Sequence, residues 1–266
     1  MSRTSGLDID RQPGISFSRE GRDRRLARKS KFFSPSGGHI CGFNVHRKKN
    51  IQMKVPNKGK LIVGMGLPCS GKSSIFKNVA KALNARVFLE PEEASWPDAV
   101  NKRDEVGYIS ALTWFRAIRI PMLYDADRLR DEGSSSFVDS YYDKLIHLYI
   151  DKPGFEWLVP PNDPYMAAYK KIAMLDYRFL PNADCVILFR VKKEKWRHLI
   201  SKRGRELDRK AGLLNTFHTQ KAFILASKQY CHENKATYIE FQNDFRNVKS
   251  ATDGLLLKLM KKRIFK

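Results

Sequence analysis

The chain has 266 residues, 42% of them hydrophobic, enough to bury one sizeable core, and its 50 Lys and Arg against 28 Asp and Glu give a net charge of +22. No run of about 18 uncharged apolar residues occurs, so no membrane span is expected, and the first residues lack the basic, apolar and small-residue series of a secretory signal. Four widely spaced cysteines, Cys41, Cys69, Cys185 and Cys231, form no C-x-x-C pair. They fit free thiols in a reducing, cytoplasmic setting rather than a disulfide framework or a zinc site.

The basic surplus is uneven. Residues 1–60 carry 15 basic and 4 acidic residues, whereas the remaining 206 carry 35 and 24. Residues 1–57 also lack periodicity and cluster Gly, Ser, Pro and Arg, so they are predicted to be a flexible basic arm. Such an arm is either a weak binder of nucleic acid or another anionic surface, or a solvated tail with no dedicated partner.

From residue 58 to 266, short apolar runs alternate with helical stretches, the signature of an α/β domain. Lys60 to Met65 is predicted as the first strand. Gly66-Leu67-Pro68-Cys69-Ser70-Gly71-Lys72-Ser73 follows, ahead of a helix from Gly71 to Leu83. G-x-x-x-x-G-K-[ST] between a strand and a helix is a phosphate-binding loop. Its glycines let successive N–H groups turn toward a phosphate, and the helix N-terminus adds positive potential. The nucleotide site is therefore expected along Gly66 to Ser74. Lys72 would reach the β/γ-phosphates and the Ser73 hydroxyl would hold Mg²⁺, so ATP and Mg²⁺ are the expected cofactors.

Arg86 to Leu89 reads as a second strand ending at Glu90. Helices are predicted from Val106 to Ile120 and, beyond Pro121, from Met122 to Asp131. Ser135 to Asp139 reads as a short third strand, Tyr141 to Tyr149 as a helix, and Pro153 to Pro164 as a loop. A helix from Tyr165 to Phe179 precedes the clearest strand, Cys185 to Val191, whose unbroken apolar run suits a parallel strand covered on both faces. Helices from Lys193 to Lys202 and Leu213 to Glu233, a fifth strand from Thr237 to Phe241, and a helix from Leu255 to Ile264 complete the chain.

In a parallel sheet the ligand lies at the carboxyl ends of the strands, which gives Glu90, Asp139 and Arg203-Gly204-Arg205 their interest. Phosphoryl transfer needs a held phosphate, a metal, a group that orients or deprotonates the attacking hydroxyl, and positive charge on the transition state. Glu90 is a candidate base, or with Glu92 and Glu93 a helix cap. Asp139 is a candidate metal carboxylate, or the N-cap of the following helix. Arg203 and Arg205 flank a glycine that would let both guanidiniums fold over a triphosphate. Tyr108, Trp114, Phe115, Trp157 and Tyr165 are aromatics that could sandwich a base, or simply core.

Glu90-Pro91 followed by Trp96, the arginine-bearing helix Thr113 to Arg119, and Arg203-Gly204-Arg205-Glu206 together resemble the deoxynucleoside kinases, over about residues 58–245. The resemblance implies a P-loop kinase fold: a five-stranded parallel sheet flanked by helices, with a lid near residues 201–212. It implies that Glu90 acts as base toward a nucleoside 5′-hydroxyl, that Arg203 and Arg205 contact the donor phosphates, that Trp96 walls the nucleoside pocket, and that the protein forms a homodimer. The sequence departs from the family in three places. Asp139-Ser140-Tyr141 lacks the arginine that follows the family's third-strand acid; Arg116, Arg119 or Arg128 could replace it, or each could be a solvated helix residue. The step from Glu90 to Trp96 is one residue longer. No glutamine, the family's base reader, occurs between Pro91 and Asp184. The expected activity is transfer of a phosphoryl group from ATP to a nucleoside hydroxyl. The competing expectations are a kinase of nucleoside monophosphates or nucleic-acid 5′ ends, with Arg116 and Arg119 holding the charged acceptor, and an inactive nucleotide-binding module docked through its basic arm.

Overall fold

A computed structural model describes residues 58–205, 215–244 and 246–265. The predicted arm, residues 1–57, and the lid beyond Arg205 lie outside the described residues.

Five strands form one sheet in the order β2-β3-β1-β4-β5, every neighbouring pair parallel. They are β1 (Leu61–Gly66), β2 (Arg86–Phe88), β3 (Ser136–Val138), β4 (Cys185–Arg190) and β5 (Thr237–Gln242). All five predicted strands are present. Because side chains alternate along a strand, β4 feeds two cores at once. Val186 and Leu188 enter one cluster with Leu61, Val63 and Met65, and Cys185, Ile187 and Phe189 enter the other with Ile62 and Phe137. Both faces are covered, which accounts for the unbroken apolar run.

Helices α1 (Lys72–Ala82) and α9 (Val248–Lys261) cover the second cluster. The first lies under α4 (Tyr108–Asp131), α6 (Met166–Phe179) and α8 (Gln220–Glu233), with α7 (Lys193–Arg203) adding Trp196 and Ile200. Short turns α2 (Asp98–Asn101), α3 (Arg103–Val106) and α5 (Tyr142–Leu145) link these elements.

Four helix boundaries differ from the sequence expectation. First, α4 continues through Pro121 as one helix of 24 residues. A proline removes one donor and clashes with the carbonyl four residues back; that residue, Ala117, is exposed like Pro121 itself, so the freed carbonyl is on the wet side. Second, the expected helix from Tyr141 to Tyr149 tightens after Leu145 into a 3₁₀ turn, Ile146–Leu148. Third, the helix expected from Leu213 begins at Gln220, after the 3₁₀ turn Phe217–Thr219. Fourth, α9 starts seven residues before Leu255, because the Asn247 side chain caps it by accepting the Ser250 N–H at 2.9 Å.

Among the described residues no helix is long and apolar enough to cross a membrane. The chain reverses sheet direction about β1, whose neighbours are β3 and β4, and this switch point opens a crevice at the carboxyl ends of the strands.

Candidate active site

The loop from Gly66 to Ser73 fills that crevice and is held from outside by two side chains. The Asn243 amide just past β5 donates to the Ser70 carbonyl at 2.8 Å, and the buried Trp196 indole donates to the Pro68 carbonyl at 2.7 Å. Gly71 has φ +90°, and a Cβ there would stand 2.7 Å from the Asn243 amide nitrogen, so conformation and space both require glycine. Helix α1 begins at Lys72 with no side-chain cap and no acid in its first turn. Its orphan N–H groups and the dipole's positive end are left for an anion.

Lys72 is buried and donates from Nζ to the carbonyls of Gly66 (3.2 Å) and Leu67 (3.1 Å) and to the Tyr142 hydroxyl (3.1 Å). The Tyr142 hydroxyl in turn donates to the Gly66 carbonyl at 2.6 Å. Burial works against the Lys72 ammonium, but Tyr142, Glu90 and Asp139 outweigh it and raise its pKa. The lysine is charged and held at the loop's mouth.

Asp139 follows β3. Its Oδ2 accepts the Ser73 hydroxyl at 2.6 Å and its Oδ1 accepts the Glu90 N–H at 3.1 Å. Burial, then the Glu90 charge, pushes its pKa up to about 6, against Ser73 and Lys72. Among the described residues no cluster of three or more His, Cys, Asp or Glu could hold a metal by itself. One hydroxyl and one carboxylate fit an ion that Mg²⁺ chemistry completes with phosphate oxygens and water.

Glu90 follows β2. Its Oε1 lies 2.9 Å from Arg119 Nη1, while the other edge of Arg119 clasps Asp143 with bonds of 2.6 and 3.1 Å. The guanidinium also lies over the rings of Phe115 and Tyr142. Burial works to raise the Glu90 pKa, but the charge and hydrogen bond of Arg119, with Lys72, hold it below the ordinary value. The carboxylate is ionised at neutral pH.

The phosphate loop opens into a groove of about 550 Å³, and beside it lies a more enclosed cavity of about 190 Å³. Lys72, Ser73, Glu90, Trp96, Arg203 and Arg205 line both, so the two spaces meet at the carboxylates. Trp96 packs edge-on against Phe115, and Arg205 lies over its ring at 4.8 Å while pairing with Glu93 at 2.9 Å. Arg203 donates to the Cys69 sulfur at 2.9 Å. Arg203 and Arg205 therefore both border the groove.

Of the twelve charged, polar or aromatic side chains that the sequence singles out, Cys69, Ser70, Lys72, Ser73, Ser74, Glu90, Trp96, Arg119, Asp139, Arg203 and Arg205 line the groove or the cavity, and Arg116 stands apart. It forms a two-pronged pair with Asp176 of α6, both bonds 2.7 Å, and lines an open surface depression with Tyr124 and Phe179 instead. Arg116, expected from the sequence to meet substrate, lies away from the groove and the cavity, paired with Asp176. Of the candidate aromatics, Phe115 and Trp157 line the enclosed cavity, whereas Tyr165 is exposed. Sequence reasoning missed Tyr142, Asp143, Trp196 and Asn243. Asp143 carried one signal, its place one helical turn after Asp139.

No protein-family model and no curated protein matches the chain. Solved structures do. The deoxyadenosine kinase of M. mycoides with bound dATP gives a TM-score of 0.56 at 19% identity, over 76% of this chain and 99% of that one. The same enzyme with bound dCTP gives 0.51 at 17% identity, over 76% and 99%. Thymidylate kinase from Candida albicans gives 0.50 at 15% identity, over 78% and 93%. The chain has the P-loop kinase fold.

Proposed function

We propose that the protein transfers the γ-phosphoryl group of ATP, with Mg²⁺, to the hydroxyl of a nucleoside. The observation that carries this reading is the junction of the two spaces: the ionised Glu90 stands where a phosphate groove meets an enclosed, aromatic-walled cavity.

Loop amides and Lys72 would hold the donor phosphates, Lys72 exchanging its loop carbonyls for phosphate oxygens. Ser73 and Asp139 would hold Mg²⁺, which when bound neutralises charge on the phosphates. Glu90 would orient the acceptor hydroxyl and take its proton at Oε2, leaving Oε1 to Arg119. A carboxylate of lowered pKa is a weak base, but phosphoryl transfer proceeds through a loose transition state that asks more of positioning than of basicity. Arg203 and Arg205 would meet the charge spread over the transferring group and keep water out.

A neutral acceptor is favoured over a nucleoside monophosphate, because Arg116 is paired with Asp176 away from the cavity and Arg119 is matched by two carboxylates. The test is transfer from ATP to a panel of ribo- and deoxynucleosides, their monophosphates and a 5′-hydroxyl oligonucleotide, with Lys72→Ala as control. Transfer to nucleosides that the control abolishes is expected. Transfer to none, with ATP still bound, would leave the binding-module reading in its place.

A further inference from the structure

The lining of the enclosed cavity is of two kinds. Glu90, Asp139 and Lys72 are polar and tied into the network described above. The rest is largely apolar and aromatic, with Ala111, Leu112, Ile146, Leu158 and Phe223, and includes Tyr149 and Trp157. The Tyr149 hydroxyl and the Trp157 indole N–H are both buried and have no hydrogen-bond partner among the described residues. A buried donor left without a partner costs about 1–3 kcal/mol, so two in one cavity call for a reason.

The Tyr149 ring is not free to turn its hydroxyl elsewhere at no cost. Tyr149 is 1% exposed and wedged between Phe155, at 4.8 Å, and Phe223, at 5.0 Å. Burial pushes its hydroxyl well above the ordinary tyrosine pKa, so it keeps its proton. The indole N–H of Trp157 can only donate, whereas the Tyr149 hydroxyl can donate or accept. Among the described residues no Asn or Gln lines the cavity, and Asp143, the nearby carboxylate of α5, has both oxygens on Arg119. Between them these two side chains offer more donors than acceptors. A cavity of about 150 Å³ takes one benzene ring, so a space of about 190 Å³ suits a single-ring base better than a purine.

We infer that Tyr149 and Trp157 determine acceptor specificity by donating to the ring carbonyls of an oxo-pyrimidine, the uracil or thymine type. The inference rests on the reading of this cavity as the nucleoside site. An amino group in the same place, as on cytosine or adenine, would set donor against the Trp157 N–H. A site built to hydrogen-bond one edge discriminates strongly against a ligand that leaves its buried groups unpaired.

The test is equilibrium binding, by calorimetry, of thymidine, deoxyuridine, deoxycytidine and deoxyadenosine to the full chain and to its Tyr149→Phe and Trp157→Phe variants. Wild type is expected to bind thymidine and deoxyuridine at least tenfold more tightly than the other two. Each variant should weaken thymidine binding by about three- to tenfold, the worth of one hydrogen bond, and narrow the preference. Deoxycytidine or deoxyadenosine bound as tightly as thymidine, a preference unchanged in both variants, or no nucleoside bound at all would overturn the inference. Thymidine bound with that preference but never phosphorylated would instead sink the kinase reading and leave this one standing.

Discussion

Arg119 Nη1 lies 2.9 Å from Glu90 Oε1, and the same guanidinium closes a two-bond clasp on Asp143. The third-strand motif has serine at position 140 where the resembled family has arginine, and this pairing brings a positive charge to Glu90 from α4 instead. Removing one member of a buried ionic set strands the others, at about 3–5 kcal/mol. Arg119→Ala is expected to lose that much stability by chemical denaturation. Arg119→Lys should keep more of it, but because Arg119 lowers the Glu90 pKa, weakening the pair moves the acidic limb of kcat/KM to higher pH. An unshifted limb would remove Arg119 from control of Glu90.

Asp139 carries a function-stability conflict. Its folded pKa of about 6 lies above the roughly 3.9 of an unfolded aspartate. Between those values the folded state binds the extra proton, so stability falls as pH rises from about 4 to about 6 and stays low above it. At neutral pH the cost is about 2–3 kcal/mol. Asp139→Asn should therefore raise Tm at pH 7.5, lose that advantage near pH 4, and abolish phosphoryl transfer. A lower Tm at pH 7.5 would show that the bonds to Ser73 and Glu90 matter more than the buried charge.

The phosphate loop depends on fit at Gly71. A Cβ there meets Asn243 at 2.7 Å with φ at +90°, whereas at Gly107, φ +99°, nothing lies within 4 Å. Gly71→Ala is expected to weaken ATP binding at least tenfold, while Gly107→Ala costs about 1 kcal/mol of stability through backbone strain and leaves ATP binding alone. Isothermal titration with ATP separates the two; equal losses would show that strain, not the loop's shape, is what matters.

Arg203 and Arg205 border the groove beside the loop, and on the proposed reading they would stabilise charge in the transition state. Arg203→Ala and Arg205→Ala are each expected to lower kcat by about 10²–10³ with smaller changes in KM for ATP. Arg205→Ala should also remove the guanidinium that covers the Trp96 ring and raise KM for the nucleoside. A change confined to the ATP KM would make these residues ground-state binders only.

The sequence made the sheet and the loop legible because their signals are local. The apolar run of β4 and the spacing of Gly66, Gly71, Lys72 and Ser73 each depend on neighbours in the chain. The site's wiring depends on pairs far apart: Arg119 with Glu90, Asn243 with Ser70, Trp196 with Pro68. No local pattern marks which arginine of α4 turns inward, so Arg116 and Arg119 look alike until Asp176 and Asp143 claim one each. Pro121 misled for a related reason: the carbonyl it frees lies on the exposed side, and the packed face of α4 holds the helix on either side of it. Asn247, by contrast, is a local capping signal for α9 that was there to be read.

The most direct test is single-turnover transfer from ATP to a bound nucleoside by wild type and Glu90→Gln, with nucleoside affinity measured alongside. A positioned general base contributes about 10²–10⁴ in rate. Wild type is expected to form the nucleoside 5′-monophosphate, and Glu90→Gln to slow that step at least 100-fold with nucleoside affinity within about threefold. Near-normal transfer by Glu90→Gln would contradict the account at its centre.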